Sequence, residues 1–287
     1  MKYSILNLLL IGWIGINTLN VSAQTPWLPL DEALGKAVIS ETVTNQQQLL
    51  VLSAQKSIGF RQATLTLSKW NNQFWTSYPA FEVGGFFSST GNEYAIAEYN
   101  QQPVIAGSFK SDDGTKTGIV TWNGSTWTTL AGGIESNYLI HPEISIADML
   151  DFKGDLYVCG DFNIANKKAV HNFVVLKGGN WQNIETGKGI VNDLQVVNDT
   201  LFAAGRFNTI DGKPAQNIGI YTAGQWKAFA SPASDEILSL TILDGHLVAL
   251  TQNNIYKFAQ NAWQNIGSLG DYKIEYLGSV TTYKGDL

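Results

Sequence analysis

Acid–base and metal chemistry have few residues to draw on in this chain. Its 287 residues include 3 histidines and 1 cysteine. His141, His171 and His246 would serve a zinc-type centre only if they converged, and no two of them stand at a ligand-pair spacing. Carboxylates are more plentiful. Asp112, Asp113, Asp161 and Asp211 are the acids from which a glycosidase-type pair could be drawn. Such a pair needs two carboxyls about 5 to 9 Å apart across one cleft. Glu41, Asp148 and Asp193 each precede an aliphatic run (Leu49, Leu156, Leu201) by the same eight residues. Oxygen ligands gathered at one level could hold a cation such as Ca²⁺. Ala95, Ser239 and Ser279 fill the same place elsewhere, so small or solvated side chains in a crowded position are the simpler and favoured reading. Cys159 shares its place with Leu52, Ala106, Ala204 and Leu250, which marks it as a core residue rather than a reactive thiol.

Those equivalences come from an internal repeat. Trp27, Trp75, Trp127, Trp181, Trp226 and Trp263 are each followed three residues on by an apolar or aromatic side chain: Leu30, Tyr78, Leu130, Ile184, Phe229 and Ile266. Self-similarity at this period means one supersecondary unit copied along the chain. The clearest copy, 144–184, reads as four strands. Ile144 to Phe152 is the first, Leu156 to Phe162 the second, Asn172 to Lys177 the third, and the fourth starts at Trp181. Lys153-Gly154 and Gly178-Gly179 supply the tight turns. Second strands recur at 49–55, 103–109, 201–207 and 247–253, and third strands at 65–70, 118–122, 217–221 and 254–258. The fold class is therefore all-β. The architecture expected is a β-propeller of four-stranded antiparallel blades, about six in number with the last incomplete. The repeated Trp is expected to pack between neighbouring blades, which explains it more simply than a sugar-binding platform does.

In that frame the second-to-third connections and the inter-blade connections share one face. They are the long ones: 56–64, 79–93, 110–117, 131–142, 163–171 and 208–216. Connections on a rigid scaffold are where binding concentrates. The candidate ligand-binding residues are accordingly Asp112, Asp113, His141, Asp161, His171 and Asp211. His246 falls on the opposite face, which precludes a three-histidine centre. Asp211-Gly212 also reads as an ordinary turn.

The N-terminal 23 residues stand apart. Lys2, the apolar run from Ile5 to Ile16 and the small Val21-Ser22-Ala23 read as a secretory signal peptide cut after Ala23. The repeat domain then occupies 24–287. A single cysteine allows no internal disulfide, which suits a bacterial envelope or medium. Net charge is −6, so nothing draws the chain to nucleic acid or to an anionic membrane. No membrane span is expected once the signal is cut. Trp27 to Leu30 matches a fourth strand without its first three, as an N-terminal strand closing the ring would. Ile274 to Tyr283 matches a first strand, and Lys284-Gly285-Asp286-Leu287 repeats Lys153-Gly154-Asp155-Leu156. The chain stops there, so it is expected to be truncated at its C-terminus, with further domains missing.

The pattern Gly-x-Phe, a polar loop, an aliphatic strand and Asn-Gly-x-x-Trp runs through Gly107-Ser108-Phe109, Trp122-Asn123-Gly124-Ser125-Thr126-Trp127, Gly160-Asp161-Phe162 and Gly205-Arg206-Phe207. It resembles the kelch and galactose-oxidase-like propeller repeats of secreted Bacteroidetes-type proteins, and the repeats of fungal cortical-marker proteins. The resemblance covers 27–287. It implies a propeller, export and, in such bacteria, often a C-terminal sorting domain. It does not bring copper chemistry, because the Cys–Tyr and two-His set is missing. The expected function is a secreted, non-catalytic binding module for protein or glycan, without a cofactor. The alternatives are a carbohydrate-active hydrolase or oxidase and a structural module of a larger protein.

Overall fold

The computed structural model describes residues 37–43, 49–56, 62–70, 74–84, 94–110, 116–138 and 144–269. The expected signal peptide, the expected closing strand at Trp27 to Leu30 and the segment from Ile274 to Leu287 lie outside the described residues. Every regular element among the described residues is a β-strand. They fall into two compact units, Met1–Phe87 and Ser88–Leu287.

The first unit holds one sheet. β1 (Ala37–Val43), β2 (Leu49–Lys56), β3 (Gln62–Trp70) and β4 (Trp75–Ser77) pair antiparallel in chain order, and β5 (Phe81–Gly84) pairs with the rest of β3 beyond β4. Leu50, Val51 and Leu52 are all buried, so the described part of β2 is covered on both faces. Trp70 and Trp75 sit opposite each other with ring centres 5.4 Å apart.

The second unit repeats the plan four times. Its first sheet is β6 (Tyr94–Tyr99), β7 (Gln102–Lys110), β8 (Lys116–Trp122) and β9 (Trp127–Thr129). After β10 (Ile134–Glu135) come β11 (Ser145–Phe152), β12 (Asp155–Asp161), the small hairpin β13 (Ile164–Ala165) and β14 (Lys168–Ala169), then β15 (Phe173–Lys177) and β16 (Asn180–Asn183). The next copy is β17 (Ile190–Val197), β18 (Thr200–Arg206), the hairpin β19 (Thr209–Ile210) and β20 (Lys213–Pro214), β21 (Ile218–Thr222) and β22 (Gln225–Ala228). The last is β23 (Ile237–Leu243), β24 (His246–Thr251), β25 (Asn254–Ala259) and β26 (Ala262–Ser268). The turns joining first to second strands place two consecutive residues at positive φ: Asn100-Gln101, Lys153-Gly154, Asn198-Asp199 and Asp244-Gly245. That backbone matches the right-handed strand twist of a two-residue hairpin.

Alternation along the second strand ties the four sheets in series. Leu156 and Val158 enter a core shared with Val104, Ala106 and Ile119 of the preceding sheet. Tyr157 and Cys159, on the other face, enter a core shared with Leu194, Leu201 and Ala203 of the following sheet. Phe202 and Ala204 in turn meet Leu240, Leu247 and Ala249. A strand buried on both faces needs this near-continuous apolar run, with each side chain assigned to a neighbour by its parity. Three of the repeated tryptophans, Trp181, Trp226 and Trp263, pack at these joints. Trp181 Nε1–H donates to the Ala131 carbonyl (3.1 Å) and Trp263 Nε1–H to the Ala230 carbonyl (2.6 Å), each in the connection leaving the preceding sheet. Trp226 is only 2% exposed, among Tyr157, Phe173 and Tyr221.

The Gly-x-Phe glycines have a steric cause. The first strand bulges between Ile146 and Asp148 and between Val191 and Asp193, opposite Gly160 and Gly205. A Cβ on Gly160 would lie 2.2 Å from the Ser145 carbonyl oxygen, and one on Gly205 2.1 Å from that of Ile190. Only a residue without a side chain lets the bulged strand come so near.

Candidate functional site

Two of the long connections of the second unit are ordered hairpins rather than variable loops. Residues 163–172 and 208–217 fold as the same hairpin, turning at Asn166-Lys167 and Asp211-Gly212. Ala165 and Val170 in one, and Ile210 and Ala215 in the other, are buried and pin the hairpin to the core. Each hairpin lies along the connection arriving from the preceding sheet. β10 pairs with β13, Asn166 N–H donates to the Gly133 carbonyl (2.9 Å), and Asp211 N–H donates to the Glu185 carbonyl (2.6 Å). Asp211 is therefore a turn residue whose backbone makes the contact, at the exposed tip of its hairpin.

Asp161 ends β12 and is exposed, at the rim where the hairpin begins. Beside it runs the connection 131–138. Its course is fixed by a reciprocal amide pair: Asn137 N–H donates to Asn163 Oδ1 (3.0 Å), and Asn163 Nδ2–H donates to Asn137 Oδ1 (2.6 Å). The next residue, Tyr138, is 38% exposed. Its phenol is held above the ordinary tyrosine range by partial burial first and by the Asp161 carboxylate second. An accessible aromatic ring, a carboxylate and two amides thus share one rim. The sequence reading does not single out Tyr138. It is an aromatic after Ser136-Asn137 in an inter-sheet connection, and nothing in its spacing sets it apart.

Further along the same rim, Asn192 occupies the bulge of β17 and is buried. It donates through Nδ2 to Glu236 Oε1 (2.8 Å) and to the Ile237 carbonyl (2.9 Å). Arg206, at the register of Asp161 in the next sheet, reaches Glu236 at 3.8 Å. His171 is exposed, and its backbone N–H donates to Asn183 Oδ1 (2.7 Å). His246 is the first residue of β24, next to the Asp244-Gly245 turn that the repeat frame assigns to the opposite face. Asp112, Asp113 and His141 lie outside the described residues.

The inner-strand acids divide. Asp148 and Asp193 do stand at one register, opposite Cys159 and Ala204, with Ser239 opposite Leu250 in the last sheet. In β1 that register belongs to Ser40, opposite Leu52; Glu41 is one place along, opposite Val51. Val43 pairs with Leu49, a longer connection than that from Phe152 to Asp155, so in β1 this register stands nine residues before Leu49 rather than eight and Glu41 leaves the equivalence. Asp148 and Asp193 touch, and both carboxyls are raised above the usual aspartate range, chiefly by burial. Both Asp148 oxygens and Asp193 Oδ2 accept backbone N–H groups, and among the described residues no cluster of three ligating side chains occurs. Cys159 is fully buried, and burial pushes its thiol up, consistent with a core position.

No protein-family profile matches the chain, and no curated protein sequence does. Among solved structures, the chain is similar to the extracellular domain of a hybrid two-component system of B. thetaiotaomicron (TM-score 0.44, 13% identity, 84% of this chain and 35% of that one). It is also similar to PorZ, a surface component of the type-IX secretion system of Porphyromonas gingivalis (TM-score 0.46, 9% identity, 86% and 36%). A third is the GH93 α-L-arabinofuranosidase of Fusarium graminearum (TM-score 0.42, 13% identity, 87% and 85%). The chain thus spans about a third of the length of the first two. Likeness this distant transfers neither ligand nor chemistry. Among the described residues no helix is long and apolar enough to cross a membrane.

Proposed function

We propose that the chain is an exported β-propeller that binds an extracellular ligand, non-catalytically, on the rim shared by its second-to-third and inter-sheet connections. Four sheets packed in series, the two middle ones giving alternate faces of their second strands to the neighbours on either side, support the propeller reading. The closing strand and the signal peptide remain parts of this proposal. The observation that carries the binding site is Tyr138. It is an accessible ring beside the Asp161 carboxylate, on a connection that the Asn137–Asn163 amide pair holds still. An aromatic face for C–H groups with acceptors and donors at its edge suits a saccharide better than a flat protein epitope.

Affinity electrophoresis of the whole chain through gels containing soluble polysaccharides tests this. The proposal expects retardation by at least one polysaccharide, lost in Tyr138→Ala and in Asp161→Asn. Release of reducing ends during the run would favour the hydrolase alternative. Retardation unchanged in both variants would remove this rim as the site.

A further inference from the structure

We infer that Asp148 and Asp193 form a proton-holding latch that joins three successive sheets and makes the fold tighten on mild acidification. Each carboxyl reaches out of its own sheet into the next. Asp148 Oδ2 accepts from Leu194 N–H on β17 (2.9 Å), and Asp193 Oδ2 accepts from Leu240 N–H on β23 (2.6 Å). The two side chains are also hydrogen-bonded to each other across the joint between β11 and β17. Two carboxylates cannot make that bond; one of them must carry the hydrogen.

The surroundings decide which one does. Asp148 accepts two backbone N–H groups, from Leu194 and from Met149 (2.7 Å), and so is the better stabilised anion. Asp193 accepts one backbone N–H and a bond from Ser239. The proton therefore rests on Asp193 and points at Asp148. No salt bridge to either carboxyl exists among the described residues. Around the pair, β12 brings Cys159, whose Sγ lies 3.6 Å from the Asp148 carbonyl oxygen, and β23 brings Ser239. At the same register β6 brings Ala95, β18 Ala204 and β24 Leu250. Among the described residues nothing basic at this level competes for the charge.

The sign follows from linkage. Above the ordinary aspartate range, about pH 4, the unfolded chain has released this proton and the folded chain has not. The latch's contribution is complete below that point and is lost as pH rises towards the folded pair's own titration. Over that window the folding constant falls about tenfold per pH unit on this account.

Asp193→Asn supplies the test. An amide keeps an oxygen for Leu240 N–H and gives Asp148 a permanent N–H donor. Urea unfolding of the whole chain at intervals from about pH 4 to 8, followed by tryptophan fluorescence, should show the Asp193→Asn variant gaining on wild type by up to about tenfold per pH unit. Asp193→Ala should be weaker than Asp193→Asn throughout, because Leu240 N–H loses its acceptor. An infrared carbonyl band of a protonated carboxyl at about pH 6, absent in Asp193→Asn, should accompany the effect. Parallel pH profiles for wild type and Asp193→Asn, or no such band, would overturn the latch. Neither outcome touches the Tyr138 rim.

Discussion

Asn217 offers the sharpest quantitative prediction of how the sheets are joined. Its side chain is 2% exposed and makes three hydrogen bonds. Oδ1 accepts from Phe207 N–H (3.2 Å), and Nδ2 donates to the carbonyls of Ser234 (2.9 Å) and Asp235 (2.7 Å) in the connection entering β23. Its φ is +61°, a region costly for residues with a Cβ other than asparagine or aspartate. Asn217→Ala removes three bonds at about 1 kcal/mol each and adds about 1 kcal/mol of backbone strain, about 4 kcal/mol in all. Asn217→Gly loses the bonds but not the conformation, so it should cost about 1 kcal/mol less. Asn172 is an internal control. It holds the same register in the preceding sheet with φ +41°, yet its Oδ1 has no hydrogen-bond partner, so Asn172→Ala should cost less than Asn217→Ala. Urea unfolding by tryptophan fluorescence, with amide exchange at Gly205 and Phe207, reads all three. An Asn217→Ala chain within about 0.5 kcal/mol of wild type, or a glycine variant worse than the alanine one, would refute the reasoning.

Other joints give simpler expectations. Trp181→Phe and Trp263→Phe each keep most of the packing and lose one indole N–H bond, so each should cost about 1 kcal/mol in urea unfolding. Gly205→Ala drives a Cβ against the Ile190 backbone and should cost more than Gly267→Ala, whose Cβ would meet nothing closer than 3.7 Å; thermal midpoints of the pair would show the order. Cys159, fully buried with its thiol pushed up, should react with a thiol reagent only as fast as the sheets on either side of it open; immediate labelling of the native chain would contradict its core position.

The repeat is legible in the sequence because its determinants are local. A Trp after a turn, an aliphatic run of period two and a Gly-x-Phe each act within a few residues, and strand bounds such as Trp75–Ser77 and Leu49–Lys56 fall where those signals put them. Turns without glycine, at Asn100-Gln101 and Asn198-Asp199, show that asparagine and its neighbours carry positive φ as well. What stays hidden depends on pairs from different repeats. Counting residues puts Glu41 beside Asp148 and Asp193, but the connection from Val43 to Leu49 is longer than its counterpart from Phe152 to Asp155, and only the strand pairing reveals the one-place shift. Asp148 and Asp193 read as solvated channel residues because the Leu194 and Leu240 amides they bind lie 46 and 47 residues away. Asp161 and His171 fall on the long-connection rim from the frame alone, whereas Tyr138 needs the Asn137–Asn163 pair to become a fixed surface feature.

The most direct test of the functional account is equilibrium titration of the whole chain with a polysaccharide that retards it, comparing wild type with Tyr138→Ala. The account predicts saturable binding to wild type, at least about tenfold weaker binding by the variant (about 1.4 kcal/mol) and no shortening of the polysaccharide. Equal affinity in the two chains, or steady release of sugar ends by wild type, would contradict it.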